Sequence, residues 1–317
     1  SQQEKALEIF TRMWHQPDFP ETVLTREKTR IVAGLQEAAT KPAYIANKAF
    51  MQALYGTHPY HLQESGEVDT VKALTRKDLK AFYQQHYNAK GAVIAIIGDL
   101  TKAEATAIAE VLSAGLPQTA GESSIPAVPF PKAAVKKSIQ HPASQAHVLL
   151  GYPGVKRGDA DYFPLYVGNY ILGGGGFVSR LTEEVREKRG LVYSVYSYFM
   201  PMQELGPFQI GLQTKKEQTD EALTVVNKTL SAFMQKGITE QELKDAKSNI
   251  TGGFPMRLDS NRKILGYLAM IGFYQLPLTY LEDFNQEISK VTAEQVKAAF
   301  SRRLKPDGFV TVIVGAQ

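Results

Sequence analysis

The amino-acid sequence predicts an α+β protein of two homologous domains, each an antiparallel sheet with helices on one face, the first domain being incomplete. Three observations predict this fold class. Part of the chain is repeated, a linker-like segment separates the two copies, and the second copy alternates between strand-type and helix-type hydrophobic patterns. At 317 residues the chain has room for about two domains.

The repeat relates residues 75–98 to residues 292–315 without a gap, at an offset of about 217 residues. Thr75 matches Thr292 and Gly98 matches Gly315, and each segment predicts a Thr-capped helix, a turn and an apolar strand. Upstream, residues 24–34 match residues 243–253 at nearly the same offset. We therefore predict two homologous α+β halves.

The predicted boundaries follow from a stretch rich in Pro, Ser, Gly and Ala over residues 118–132, which is a linker composition. Residues 133–317 form a complete second domain, and residues 1–117 correspond to the C-terminal part of the first. By the repeat arithmetic, a counterpart of roughly 85 residues is missing before residue 1, so we expect an N-terminally truncated first domain.

The second half alternates between two patterns. Strands are predicted at residues 134–138, 146–152, 192–200, 206–214 and 308–314. Helices are predicted at residues 162–172, 179–188, 219–236, 239–257, 261–274 and 293–304. Strand pairs separated by helix pairs favour a mostly antiparallel sheet.

Composition excludes several functions. Zero cysteines exclude a disulfide framework, a Cys-ligated zinc and a thiol nucleophile. The net charge of +4 is small, and basic residues alternate with acidic ones, so no nucleic-acid partner is expected. No apolar run approaches the roughly 18 residues of a membrane span, so no membrane span is expected either.

The most informative segment covers residues 171–193, ILGGGGFVSRLTEEVREKRGLVY. Arg186 and Tyr193 are separated by seven positions, at the end of a predicted helix and the start of a predicted strand. Together, an arginine and a phenol can hold a peptide carbonyl and its developing oxyanion. Arg189 and Tyr196 have the same separation and are the competing pair.

Four glycines, Gly173, Gly174, Gly175 and Gly176, precede that helix. A phosphate loop is disfavoured because no Gly-Lys-Ser/Thr follows them and no GxGxxG passes through them. A tight helix C-terminus that needs positive φ is one interpretation. Elsewhere, His58 and His61 have ligand-like spacing, but the proline between them favours a structural turn.

These residues resemble the M16 (pitrilysin-type, insulinase-like) zinc metallopeptidases and the related mitochondrial processing peptidase subunits. The most specific match is LGGGGFVSRLTEEVREKRGLVYSVYS, and the resemblance extends over essentially the whole chain. It implies two domains of the LuxS/MPP-like metallohydrolase type. In this family a zinc-bearing half closes over a second half to enclose peptides.

The family's zinc ligands are not matched. The family carries zinc on an inverted HxxEH motif, which is absent from this sequence, and on a glutamate eight residues after the arginine of a second helix. By alignment on Arg26 and Glu27, that glutamate position is Gly34, which offers no side chain to a metal. Glu37 is a conceivable substitute. We expect no metal and no cofactor bound by this chain, and zinc in a partner subunit.

The resemblance assigns roles to the arginine and tyrosine by their spacing and the GLVY match. Tyr193 would donate its hydroxyl to the tetrahedral oxyanion, and Arg186 would hold a substrate carbonyl. By the same resemblance, Gly173 to Gly176 would be a flexible substrate-binding segment, as in the non-catalytic processing-peptidase subunit. The strand that starts at Tyr193 could also present a sheet edge to which an extended peptide adds.

The sequence leaves three functions open. The first is a non-zinc component of a heterodimeric bacterial peptidase that is inactive alone and acts on peptides with an HxxEH-bearing M16 subunit. The second is a catalytically silent peptide-binding or scaffold subunit of a processing-peptidase-like complex. The third is a complete zinc peptidase inactivated only by truncation. For location, a bacterial periplasm is favoured over the cytoplasm.

Overall fold

The structure is a computed structural model that describes residues 2–118 and 124–316. The helices are α1 Gln2–His15, α2 Glu21–Ala38, α3 Pro42–Tyr55, α4 Val68–Ala73, α5 Arg76–His86, α6 Lys102–Ala114, α7 Tyr162–Asn169, α8 Thr219–Lys236, α9 Glu240–Gly253, α10 Asn261–Phe273, α11 Tyr280–Lys290 and α12 Ala293–Arg303. The strands are β1 Val135–Gln140, β2 Gln145–Val155, β3 Val192–Phe199, β4 Gly206–Lys215 and β5 Val310–Ala316. None of the helices within the described ranges is both long and apolar enough to cross a membrane.

The chain divides into two compact units, which do not follow the order of the sequence. The first is taken from residues 1–36, 65–124 and 257–276, and the second from residues 37–64, 125–256 and 277–317. Helix α3 therefore lies in the second unit, although the repeat places it in the first half of the sequence. Helix α10 lies in the first unit, although it comes from the second half. The partition at residues 118–132 stays a prediction, and residues 119–123 lie outside the described part of the chain.

The regular elements that the structure describes in the first unit are all helices. Its aromatic side chains pack between α1 and α5, where the Tyr83 hydroxyl donates to the Trp14 carbonyl at 2.6 Å and the Trp14 and Tyr87 rings meet edge to face at 5.2 Å. Thr75 caps α5 in a reciprocal capping box, as predicted. The predicted strand after α5 is wrong: residues 92–97 form no ladder, because no strand of this unit lies beside them in the described ranges.

The second unit contains a five-stranded sheet in the order β1-β5-β2-β4-β3. The prediction of an antiparallel sheet is corrected at one pair, since β1 and β5 run parallel, from Val135 opposite Val310 onwards. All other neighbouring pairs are antiparallel. A parallel pair needs a long crossover connection, and most of the second half of the chain lies between β1 and β5.

Helices lie on both faces of this sheet, which corrects the prediction of one covered face. On one face, Ala46 and Phe50 of α3 pack with Leu149 of β2 and Val312 of β5 in a buried cluster. On the other face, Phe300 of α12 packs against rings of β3 and β4. The second half alone could not predict α3 here, because α3 belongs to the other copy of the repeat. As a result, α3 covers β5 and β2 and leaves β4 and β3 less covered.

Candidate functional site

The segment of residues 171–193 folds into consecutive tight turns that lead into β3. Helix α7 continues as a π-helical turn over Tyr170–Gly174, a 3-10 turn covers Gly176–Val178, and a second π-helical stretch covers Thr182–Glu187. Single π-turns are rare and frequently mark functional sites. The sequence predicted helices at both places but not their widened hydrogen-bonding pattern.

Glycine is required at these four positions for different structural reasons. Gly173 is buried, and a Cβ there would lie 2.5 Å from Ser197 Oγ and 2.7 Å from the Ser197 backbone nitrogen, so only glycine allows this approach to β3. A Cβ on Gly174 would clash with Asn169, and a Cβ on Gly175 would clash with Tyr170, both in the preceding turn. Gly176 has φ of 64° with open space around it. The positive φ agrees with the prediction of a helix C-terminus. The substrate-binding role of these glycines stays a prediction.

Arg186 and Tyr193 are brought together. The guanidinium carbon of Arg186 lies 5.5 Å from the centroid of the Tyr193 ring and 4.9 Å from that of Phe177. Both contacts are of the cation–π type. The Arg186 side chain is one-third exposed, whereas Tyr193 is 76% exposed and Phe177 is 71% exposed. We call these three side chains the Arg–Tyr cluster.

Local backbone geometry explains why Arg186 and Tyr193 lie close together. Gly190, at φ of 62°, reverses the chain after the second π-helical stretch, and its N–H donates to the carbonyl of Arg186 at 2.8 Å. The pairing of β3 with β4 then shifts between Val192 and Ser194, which leaves Tyr193 as the extra residue of a β-bulge. Bulges re-aim a side chain next to active sites. Here the residue at the bulge is Tyr193, whose phenol is exposed.

The competing pair is not assembled. Arg189 donates to the carbonyl oxygen of Glu184 at 2.6 Å and to its carboxylate at 2.8 Å. Tyr196 lies further along β3, where its ring stacks on Tyr198. The geometry therefore favours Arg186 with Tyr193, as the GLVY match did. Sequence reasoning missed Phe177, whose only signal was an apolar residue directly after the glycines.

An ion pair anchors the helical segment that carries Arg186. Arg180 donates from Nε and Nη2 to the two carboxylate oxygens of Glu242 at 2.6 and 2.7 Å, and its guanidinium also lies over the Phe233 ring at 5.2 Å. Glu242 also caps α9 together with Thr239. The Arg180 hydrogen bonds, followed by those from Thr239, lower the pKa of Glu242 to about 2 despite its partial burial.

The residues present do not fit a zinc site. Within the described ranges, no group of three or more His, Cys, Asp or Glu side chains is placed to hold a metal ion. Gly34 is exposed on α2 with nothing near it, and Glu37 forms a surface ion pair with Lys41 at 2.6 Å. Both ring nitrogens of His58 already form hydrogen bonds: the ring accepts from the Tyr60 N–H and donates to the Pro126 carbonyl.

Comparison with known proteins places this fold in the class of M16-type α+β proteins. The structure matches that of a peptidase M16 inactive domain from Pseudomonas fluorescens with a TM-score of 0.95 and 42% identity, covering 99% of this chain and 76% of that one. It also matches a protease from Helicobacter pylori with a TM-score of 0.86 and 22% identity, which shows the fold alone, over 98% of this chain and 76% of that one.

Sequence comparison identifies the family. The family described as "Peptidase M16 inactive domain" matches residues 73–250, and the chain belongs to it. It is 26% identical to an uncharacterized zinc protease of Streptomyces coelicolor over 86% of this chain and 60% of that protein. It is also 27% identical to a non-peptidase homolog of Helicobacter pylori over 93% of this chain and 68% of that protein. The predicted M16 family is thus confirmed.

Proposed function

We propose that this chain is the non-zinc component of an M16-type zinc peptidase and that it contributes Arg186 and Tyr193 to peptide hydrolysis by an HxxEH-bearing partner subunit. The observation that carries the proposal is the Arg–Tyr cluster, an exposed phenol beside a guanidinium in a chain whose described residues do not fit a metal site. We also propose that the two halves are homologous M16 domains.

The chemistry follows from what the two groups can donate. The Tyr193 hydroxyl can donate to a peptide carbonyl oxygen as that oxygen gains negative charge, and the guanidinium of Arg186 can hold a second carbonyl. The guanidinium of Arg186 contacts the rings of both Phe177 and Tyr193, and these contacts restrict the Arg186 side chain before substrate arrives. Donors that are already oriented need little reorganisation in the transition state, which is why they are effective.

A second function, a catalytically silent peptide-binding or scaffold subunit, is favoured by a different observation. Among the described strands β3 is one of the two edges of the sheet, paired on one side only, with β4. An extended peptide can add to such an edge through main-chain hydrogen bonds, largely independently of its sequence. Gly173 of the glycine segment Gly173–Gly176 packs against Ser197 of this strand. In this function, the Arg–Tyr cluster would contribute to affinity but not to rate.

Kinetics of the reconstituted complex test the proposal. The chain is mixed with an HxxEH-bearing M16 subunit from the same organism, and hydrolysis of a fluorogenic peptide is followed. Tyr193→Phe should lower kcat by about 10²-fold, the usual loss for one oxyanion donor, with a much smaller change in KM. A control is Tyr162→Phe, because Arg157 lies over the Tyr162 ring at the same 5.5 Å outside the glycine segment.

The outcomes separate the two functions. Unchanged kcat in Tyr193→Phe and in Arg186→Ala would refute the catalytic role. If KM rises while kcat is kept, the peptide-binding function is favoured instead. Equal losses in Tyr193→Phe and in the control would show that the effect is not specific to the Arg–Tyr cluster.

A further inference from the structure

A pocket of about 220 Å³ lies on the sheet face that α3 leaves less covered. In the strand register, Tyr196 lies opposite Gly211 and Tyr198 lies opposite Gln209. The polar and aromatic residues that line the pocket are Asn47, His147, Tyr196, Tyr198, Gln209 and Gln213. Pockets for whole small ligands are typically larger, at about 300–1,000 Å³, so this one suits a single large side chain.

The two tyrosines form a fixed aromatic wall. Their rings stack with centroids 6.0 Å apart and planes only 9° from parallel. The Tyr196 ring lies directly on Gly211, because a Cβ on that glycine would come within 2.5 Å of the ring. A side-chain hydrogen bond with Gln209, which is 3% exposed, also holds the Tyr196 hydroxyl. An aromatic guest gains both apolar burial and ring contacts on such a wall.

The pocket lining carries no formal charge. It contains no Lys, Arg, Asp or Glu, and burial, together with the nearby His141, lowers the pKa of His147, so this ring is neutral at physiological pH. Burial also raises the pKa of Tyr198 to about 12, so its phenol keeps its proton. A charged guest would lose water without gaining an opposite charge, which is costly. The lining therefore disfavours Asp, Glu, Lys and Arg guests.

The position of the pocket relates it to the Arg–Tyr cluster. A strand rises about 3.3 Å per residue, so Tyr196 and Tyr198 lie about 10 and 16 Å along β3 from Tyr193. A peptide that adds to the β3 edge presents every second side chain to this face. We propose that the pocket is a specificity subsite for an aromatic side chain of an extended peptide, three to five residues from the carbonyl held at Tyr193. The position of the peptide rests on the proposed function.

Photo-crosslinking of the whole chain tests the subsite. The probe is a ten-residue, alanine-based peptide with benzoylphenylalanine at one guest position, and otherwise identical peptides with Phe, Lys or Glu at that position compete with it. We expect the crosslink to map to β3 or β4 next to Tyr198, and Phe to compete about ten-fold better than Lys or Glu. Gln213→Glu should improve the Lys peptide about ten-fold, whereas Gln145→Glu, exposed on β2 outside the pocket, should not.

Equal competition by Phe, Lys and Glu peptides would overturn the subsite, as would selectivity that stays the same in both Gln213→Glu and Tyr198→Ala. Tyr193→Phe should lower hydrolysis in the complex, whereas the preference for Phe over Lys and Glu in the competition should be kept. If the crosslink fails but Tyr193→Phe still lowers kcat, only the subsite is refuted. If the crosslink holds but kcat is unchanged, only the catalytic role is refuted. If the crosslink fails and kcat is also unchanged in Tyr193→Phe, both proposals are wrong.

Discussion

Replacing Glu242 by glutamine tests how the helical segment that carries Arg186 is held. The change removes the charge that Arg180 pairs with but leaves a side chain that can still cap α9. The chain itself provides the precedent, because Gln295 forms a capping box with Thr292 at the start of α12. The variant therefore isolates the ion pair from the cap.

The magnitude follows from burial and geometry. The Arg180 and Glu242 side chains are 22% and 30% exposed, and the pair has two short parallel hydrogen bonds. Exposed pairs contribute about 0–1 kcal/mol, and removing one partner of a fully buried pair costs about 3–5 kcal/mol. For this intermediate case we expect Glu242→Gln to lower the free energy of unfolding by about 2 kcal/mol at pH 7.

The loss should depend on pH in a defined direction. The pKa of Glu242 is about 2 in the folded protein and 4.5 ordinarily, so the charged pair stabilises the fold above pH 4.5 and loses its effect as pH falls towards 2. The difference between wild type and variant, measured by urea denaturation, should therefore shrink below pH 4.5. Glu104→Gln is the control, because Glu104 caps α6 with Thr101 in the same way without an ion pair in the described structure. A difference that is independent of pH, or an equal loss in the control, would refute the reasoning.

Three further predictions concern packing. Gly173→Ala should cost about 1–3 kcal/mol, seen as a lower urea midpoint by circular dichroism, because the new Cβ would meet the Ser197 backbone; a cost below about 0.5 kcal/mol would contradict the close approach. Gly34→Ala should instead stabilise the first unit by about 1 kcal/mol, because Gly34 is exposed within α2 with no atoms near it. Fluorescence of Trp14, the only tryptophan, reports on that unit. An unchanged unfolding midpoint would contradict the expected stabilisation. Phe50→Ala should cost about 3–5 kcal/mol, because this side chain is fully buried between α3 and the sheet; hydrogen exchange at β5 should rise sharply, and unchanged protection would show that α3 is not needed there.

Much of the second unit could be predicted from the sequence, because its strands and helices have strong local signals. Thr292 caps α12 at the predicted place, and β2 and β4 follow the predicted apolar runs. Helix α11 was missed, although Phe284 and Ile288 are buried at helical spacing. The parallel pairing of β1 with β5 was also missed, because strand direction depends on long-range contacts that no local pattern encodes.

The Arg–Tyr cluster was only partly predictable. Spacing and the GLVY match selected Arg186 and Tyr193, but the bulge that exposes Tyr193 depends on how β3 and β4 pair. The ion pair of Arg180 with Glu242 joins residues 62 positions apart and had no local signal. The pocket had a weak local signal in the sequence. Tyrosines lie on one face of β3 and glutamines lie on the same face of β4, where a fully covered face would carry aliphatic residues.

The exchange of α3 and α10 between the two units affects how the chain can be divided. Cutting in the segment of residues 118–132 would give two pieces, each of which keeps a helix that belongs in the other unit. The C-terminal piece would expose the apolar strands that Phe50 and Ala46 cover, and the N-terminal piece would lack α10. We expect neither piece to be soluble alone and both to regain structure when co-expressed. The segment that looks like a domain boundary is thus a poor site for truncation.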